Sequence, residues 1–193
     1  RSGLEQLFIV QEQALPDGSF PTVKSPNPEN PEGFSLGIEL AKEVESDLII
    51  ATDPDCDRVG VMAKNAKGQF ETISGNCMGC LLLDYILSAH SENGTMPPDP
   101  YAVKTIVSTD LAEEICRCFG VKLYEVLTGF KYIGEVIKRH EDSGKGSFIL
   151  GFEESYGYLK GTYARDKDAV VASMLITEMA AYYKEKDMTL IDA

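Results

Sequence analysis

The 193-residue sequence predicts an α/β protein of two consecutive domains, residues 1–74 and 75–193, each with a mixed, mostly parallel sheet flanked by helices. Three observations predict it. Short apolar runs of strand length alternate with segments of helical apolar periodicity, the pattern of βαβ units. The chain is long enough to bury a core in one large domain or two small ones. Loops dense in Asp, Glu, Ser, Thr and Gly follow the apolar runs directly, where open α/β sheets bind ligands.

Taken in order, residues 7–10 (Leu-Phe-Ile-Val) read as a short buried strand. The stretch from Pro16 to Pro31 is dense in Pro, Asn and Gly; fixed φ angles and missing donors make it a loop of turns. An amphipathic helix is expected from about Glu32 to Glu45, with Phe34, Ile38, Ala41 and Val44 on one face. Asp47–Ala51 is a strand, and Val59–Ala63 and Phe70–Ile73 are two more that turn at Asn65–Gly68. A helix over 75–89 and a polar linker from Ser91 to Pro100 come next. Strand 103–107 leads to a helix opening at Asp110 with Glu113 three residues on, a capping-box spacing, and ending at Gly120. Strand 121–126, a helix from 131 to about His140, strand 147–150 and a last helix from Asp168 to Lys184 complete the chain.

A net charge of −13 repels nucleic acid and anionic membranes, so neither is an expected partner. No apolar run approaches the roughly 20 residues that span a bilayer. The start, Arg1-Ser2-Gly3-Leu4, has no signal-peptide core, and the lack of an initiator Met suggests a fragment. Five cysteines, an odd number in a chain of this size, fit the reducing cytoplasm better than a disulfide framework. Cys77-Met-Gly-Cys80 and Cys116-Arg-Cys118 make a weak zinc or redox candidate, since the second pair is not a proper knuckle; packing is the blander reading. His90 and His140 fall at helix ends and receive no chemistry.

The strongest chemical signal is Asp53-Pro54-Asp55-Cys56-Asp57-Arg58. Three alternating carboxylates in a tight loop repel one another unless a hard cation joins them. Three ligands also leave octahedral positions open for water or a phosphate oxygen, the habit of Mg²⁺. Arg58 adds a planar fork for phosphate or carboxylate. A calcium EF-hand fits poorly, because its sixth and twelfth positions are here Arg58 and Lys64. An aspartyl-phosphate phosphatase with Asp53 as nucleophile, or a solvated acidic turn, remains open.

Three further loops stand out. In Gly151-Phe-Glu-Glu-Ser-Tyr-Gly157, a carboxylate and a hydroxyl two residues apart can share neighbouring sugar hydroxyls, and flanking glycines permit close backbone approach. The plainer readings are an acidic turn, or a cap made by Glu153 or Glu154. Thr128-Gly129-Phe130-Lys131 lies between a strand and a helix, a place suited to an anion. Arg165-Asp-Lys-Asp168 opens the last helix; its plainer reading is a solvated face of local ion pairs.

Together with Phe20-Pro-Thr-Val23 and Ser25–Glu29, these segments resemble, in kind and order, the α-D-phosphohexomutase family of phosphoglucomutases and phosphomannomutases. The resemblance covers nearly the whole chain. It implies that residues 1–74 are that family's second domain, without its opening strand, and 75–193 its third. It implies Mg²⁺ on Asp53, Asp55 and Asp57, with a phosphoserine from another domain as fourth ligand. Arg58 and Lys131 would be catalytic, Arg58 contacting substrate or phosphate. Glu153 and Ser155 would bind the sugar 3- and 4-hydroxyls. Thr128, Gly129, Lys131 and Lys167 would hold the sugar phosphate. The implied reaction interconverts hexose 1-phosphate and hexose 6-phosphate through a bisphosphorylated sugar. The Glu-Glu-Ser-Tyr-Gly form is more similar to the phosphoglucomutase branch, which implies glucose 1-phosphate, glucose 6-phosphate and glucose 1,6-bisphosphate as ligands. The family's phosphoserine loop and its fourth-domain phosphate loop do not occur in this sequence, so the isolated chain is expected to need its flanking domains for turnover. A non-catalytic phosphosugar-binding module is the alternative within the same resemblance. Cys56 stands where the family usually has Gly or a small residue.

Overall fold

The computed structural model describes residues 4–193. Two sheets carry the fold. The first contains β1 (Leu48–Thr52), β2 (Val59–Lys64) and β3 (Phe70–Ile73), in that spatial order, and every pairing is antiparallel. This corrects the expectation of mostly parallel pairing for the first half. A parallel neighbour needs a crossover of a dozen residues or more, whereas the loops here run only from 53 to 58 and from 65 to 69. The second turn is fastened by Asn65, whose Oδ1 accepts the amides of Lys67 and Gln69, and by Gly68 at φ +75°.

The second sheet has the order β5-β4-β6-β7, with β4 (Pro100–Thr105), β5 (Lys122–Val126) and β6 (Ser147–Glu153) parallel, and β7 (Gly157–Leu159) antiparallel at the edge. Here the expected mixed, mostly parallel sheet is found. Strand β7 was not foreseen, since three residues are too few to show a period. The chain leaves β4 toward β5 on one side and returns to β6 on the other, so the strand order reverses between β4 and β6. Ligands of open α/β sheets bind at such a point.

Among the described residues five α-helices cover the sheets: α1 (Ser35–Glu43), α2 (Gly75–Glu92), α3 (Leu111–Phe119), α4 (Phe130–Ser143) and α5 (Ala169–Lys184). The first expected helix is split, because Pro31–Phe34 forms a 3₁₀ turn before α1 begins. Ser74 caps α2 by accepting the Cys77 amide, and Asp168 caps α5 by accepting those of Val170 and Val171. Gly120 ends α3 in the left-handed conformation, as its position suggested. The capping box at Asp110 does not form. Asp110 has helical backbone angles and its carboxylate turns to Lys104 instead.

One apolar cluster runs through both sheets. Val59, Val61 and Ile73 of the first meet Met78, Leu82 and Leu83 of α2, Ile149 and Phe152 of β6, and Ile176 of α5. A smaller cluster fills the opposite face of the second sheet, where Ile133, Val136 and Ile137 of α4 lie on Tyr101, Val103 and Leu159. Residues 7–10 do not form the expected buried strand: Leu7 is 72% exposed, and no described strand pairs with the run. An apolar run makes a strand only where another edge satisfies its amides.

Candidate functional site

The acidic loop joins β1 to β2, so its ends are held by the Thr52–Val59 pair of an antiparallel ladder. Inside it Asp53 turns inward and is 3% exposed. Its Oδ1 accepts the amides of Asp57 (3.1 Å) and Arg58 (3.0 Å), and its Oδ2 accepts Arg58 Nε at 2.7 Å. Burial works against the charge of Asp53, but these bonds outweigh it and hold its pKa below the ordinary value. Burial pushes the Asp57 carboxyl upward, against the pull of Lys167, whose Nζ lies 2.8 Å away. Ligand-capable oxygens of Asp53, Asp55 and Asp57 all lie within 4.8 Å of one another. The donor set therefore fits a hard divalent cation: three convergent carboxylates, graded from buried Asp53 to exposed Asp55.

Cys56 sits at the tip of this loop with φ +59°. Glycine takes that conformation without strain, so the position is constrained by its backbone and not by size alone.

The loop after β6 is a three-residue hairpin, Glu154-Ser155-Tyr156, whose last residue lies at φ +66°. It is bound to the acidic loop through the backbone. Arg58 and Gly157 form an antiparallel bridge, and the Val59 amide donates to the Tyr156 carbonyl at 3.1 Å. The segment before α5 closes the third side, as the Ala169 amide donates to the Cys56 carbonyl and that of Asp168 to the Tyr158 carbonyl. Gly157 leaves room at this seam for the side chains of Lys167 and Glu153. A Cβ there would stand 2.5 Å from Lys167 Cδ and 3.0 Å from Glu153 Oε1.

Three sequence segments thus become one cluster: Asp53, Asp55, Asp57 and Arg58; Glu153 and Ser155; Lys167. Glu153 is 6% exposed. Burial raises its pKa, opposed by the charge of Lys167 and by the nearby Ser155 hydroxyl. The two residues expected to act as a carboxylate–hydroxyl pair are thus placed next to one another at the start of the hairpin turn. Lys167 keeps its proton in spite of burial, because Asp57 and Asp166 flank it. Its Nζ also lies 5.9 Å from the centre of the Phe130 ring, which brings the 128–131 segment alongside. Gly129 has φ +119°, a conformation open to glycine. Thr128 and Lys131 are exposed, and Lys131 Nζ lies over the ring of Tyr132 rather than on the acidic cluster.

Two rival readings lose ground. Lys64, the twelfth position of a calcium loop, is the last residue of β2 and not a ligand. Asp53, held by three donors, is an anchor of its loop and a poor exposed nucleophile. Among the described residues the Asp53-Asp55-Asp57 group is the one with metal-ligand geometry. Cys80 and Cys116 are packed in the core, where burial raises their thiols to about 11 and about 12. His140 stacks on Tyr101 at 4.0 Å and bonds Tyr124. Sequence reading missed the polar network around the 154–156 turn: Lys104, Thr105, Ser108 and Asn76. The available signal was the run of polar residues, Lys104, Thr105, Ser108 and Thr109, at the end of an apolar strand.

Comparison with known proteins adds identity to this geometry. Residues 1–68 match the family description "Phosphoglucomutase/phosphomannomutase, alpha/beta/alpha domain II", and residues 74–193 match domain III of the same family. A phosphoglucomutase from Staphylococcus haemolyticus is 38% identical over 189 residues, 98% of this chain and 33% of that protein. A phosphomannomutase from Mycoplasmoides pirum is 38% identical over 192 residues, 98% of this chain and 34% of that protein. The chain spans about a third of the length of the curated relatives it matches. Among solved structures, a phosphoglucomutase/phosphomannomutase family protein from Burkholderia thailandensis shares the fold, with a TM-score of 0.65 and 21% identity over 86% of this chain and 32% of that one. So does an Aspergillus fumigatus N-acetylphosphoglucosamine mutase in complex with GlcNAc-6P and magnesium, with a TM-score of 0.53 and 15% identity over 72% of this chain and 31% of that one. The chain belongs to the phosphoglucomutase/phosphomannomutase family.

Proposed function

We propose that this chain is the central part of a phosphohexomutase that interconverts hexose 1-phosphate and hexose 6-phosphate through a phosphoserine and a bisphosphorylated sugar. The observation that carries this reading is the seam itself. One backbone bridge, Arg58 to Gly157, locks a three-carboxylate loop beside a Glu153–Ser155 pair, with Lys167 between them. A cation site and a reader of sugar hydroxyls fixed side by side suit a phosphorylated sugar. Domain boundaries of 1–74 and 75–193 accompany the proposal.

Mg²⁺, held by Asp53, Asp55 and Asp57, would neutralise charge on a transferring phosphoryl group. The chain's own residues supply the remainder. Glu153 accepts from a sugar hydroxyl while Ser155 both accepts and donates, so the pair can hold two adjacent hydroxyls. Recognition of the 3- and 4-hydroxyls suits a sugar that must bind in two orientations. Lys167, poised between Asp57 and Asp166, can turn to a phosphate oxygen, with Thr128, Gly129 and Lys131 at the neighbouring helix start. Arg58 is bound to Asp53 through Nε, so its contribution is to fix the loop and offer the outer fork to phosphate or substrate. Glucose phosphates are the favoured ligands, in the cytoplasm, and the flanking domains are needed for turnover. Among the described residues no helix is long and apolar enough to cross a membrane.

The test is turnover of glucose 1-phosphate, mannose 1-phosphate and ribose 1-phosphate by the full-length protein carrying this chain. Glucose 1-phosphate is expected to give the highest kcat/KM, and loss of Glu153 (E153Q) to lower it by about 100-fold or more. No turnover of any of the three would refute the reading.

A further inference from the structure

Between Glu153 and Ser155 stands Glu154, whose carboxylate enters a buried polar network. Glu154 Oε2 accepts from Thr105 Oγ1 at 2.8 Å. Thr105 Oγ1 and Ser108 Oγ are also 2.8 Å apart. Thr105 has one hydroxyl proton and spends it on Glu154, so Ser108 must be the donor to Thr105. Both side chains are buried, Thr105 fully and Ser108 at 4% exposure. The 106–108 turn is held in its turn by Lys104, fully buried, whose Nζ donates to the Ser108 carbonyl at 3.1 Å and pairs with Glu125 at 2.5 Å. The neighbouring Thr109 amide donates to Asn76 Oδ1 in the first turn of α2.

The Glu154 backbone is fixed as well. Gly75, the first residue of α2, packs so closely that a Cβ on it would lie 2.0 Å from the Glu154 carbonyl oxygen. Glu154 is therefore gripped at its carbonyl side by α2 and at its carboxylate by the end of β4. Glu154 and Ser155 lie in one tight hairpin turn that opens at Glu153. Holding the middle residue down sets the direction of the two beside it.

We propose that Thr105, relayed by Ser108, is a positioning residue for sugar recognition: it anchors Glu154 and thereby aims Glu153 and Ser155 at the substrate hydroxyls. The inference rests on the phosphohexomutase reading and deepens it by assigning its hydroxyl specificity to a network beneath the cleft. Thr105 touches no substrate. Its effect must therefore depend on the hydroxyl that Glu153 and Ser155 read, and a merely structural role would not.

The test compares glucose 1-phosphate with its 4-deoxy analogue in the full-length protein, using Thr105→Val, which keeps the shape and removes the hydroxyl, and Thr105→Ser, which restores the hydroxyl. Thr105→Val is expected to lower kcat/KM for glucose 1-phosphate by about 10- to 100-fold and for the 4-deoxy sugar by no more than about threefold. Thr105→Ser should return the glucose value to within about threefold of the parent. Ser108→Ala, a milder change one bond further away, is expected to show the same substrate dependence with a smaller loss, and it carries the test if Thr105→Val does not fold. Equal losses on both sugars, or no loss on either, would overturn the proposal. If the unaltered protein turned over both sugars equally well, the reading of Glu153 and Ser155 as hydroxyl contacts would itself fail, and the proposal with it.

Discussion

Asp53 and Glu153 are both buried carboxylates, yet their environments push them in opposite directions. Three donors hold Asp53 below its ordinary pKa, so the folded chain binds that proton more weakly than the unfolded chain. The stability this gives is present above the unfolded value of about 4 and disappears as pH falls through the lower folded value. Asp53→Asn is accordingly expected to cost about 1.5–3 kcal/mol at pH 7 in metal-free buffer, and progressively less on acidification. Urea melts at several pH values would show it, and a pH-independent cost would contradict it. Burial raises Glu153, so the sign reverses: the folded state holds the proton more tightly, and stability falls as pH rises from the unfolded value through the folded one. Glu153→Gln should remove that slope and leave the chain as stable or more stable at neutral pH, although sugar recognition suffers. Cys56 offers a third residue-scale test. At φ +59° a β-branched side chain is strained, so Cys56→Val should destabilise by about 1–2 kcal/mol, whereas Cys56→Gly should lie within about 1 kcal/mol of the parent.

At the scale of elements, the starts of α2 and α5 are the sensitive points. Gly75 of α2 meets the Glu154 carbonyl, and backbone cannot yield as a flexible side chain does. Gly75→Ala is expected to cost at least about 2 kcal/mol. Gly33, whose added Cβ would have no neighbour closer than 3.9 Å, should tolerate the same change within about 0.5 kcal/mol. Thermal melts of the two variants side by side make the comparison, and similar shifts in both would refute the packing argument. Asp168 caps α5 with two amide bonds, so Asp168→Ala should cost about 1 kcal/mol. The helices themselves were legible from periodicity and punctuation: Gly120 and Asp168 mark ends that the structure keeps. The antiparallel first sheet was legible only in part, because apolar runs specify strands but not partners: the turn at Asn65–Gly68 marked one antiparallel pair, and the short loop 53–58 was the clue to the other. The run at residues 7–10 shows the same limit from the other side, since strand composition without a neighbouring edge leaves Leu7 and Phe8 in solvent.

At the scale of the whole molecule, the two sheets share an apolar cluster and a hydrogen-bonded seam, the bridge from Arg58 to Gly157. Unfolding is therefore expected as one cooperative step. Far-UV circular dichroism and tyrosine fluorescence should report coincident urea transitions. Two separated transitions would show that the halves hold together more weakly than their shared core implies. The sequence by itself determined the strands and helices of residues 35–193 apart from the short strand β7, and it marked the acidic loop, Glu153, Ser155 and Lys167 as candidates, because periodicity, turn chemistry and clustered charge are local properties of a chain. Only the tertiary structure decided that residues about 100 positions apart form one site. It also decided that Arg58 and Lys167 compensate the acidic loop, that the Glu154 carboxylate bonds Thr105, and that Cys56 needs a left-handed backbone. Each of those depends on which surfaces meet once the core is buried, and burial couples residues whose order along the chain says nothing of their distance.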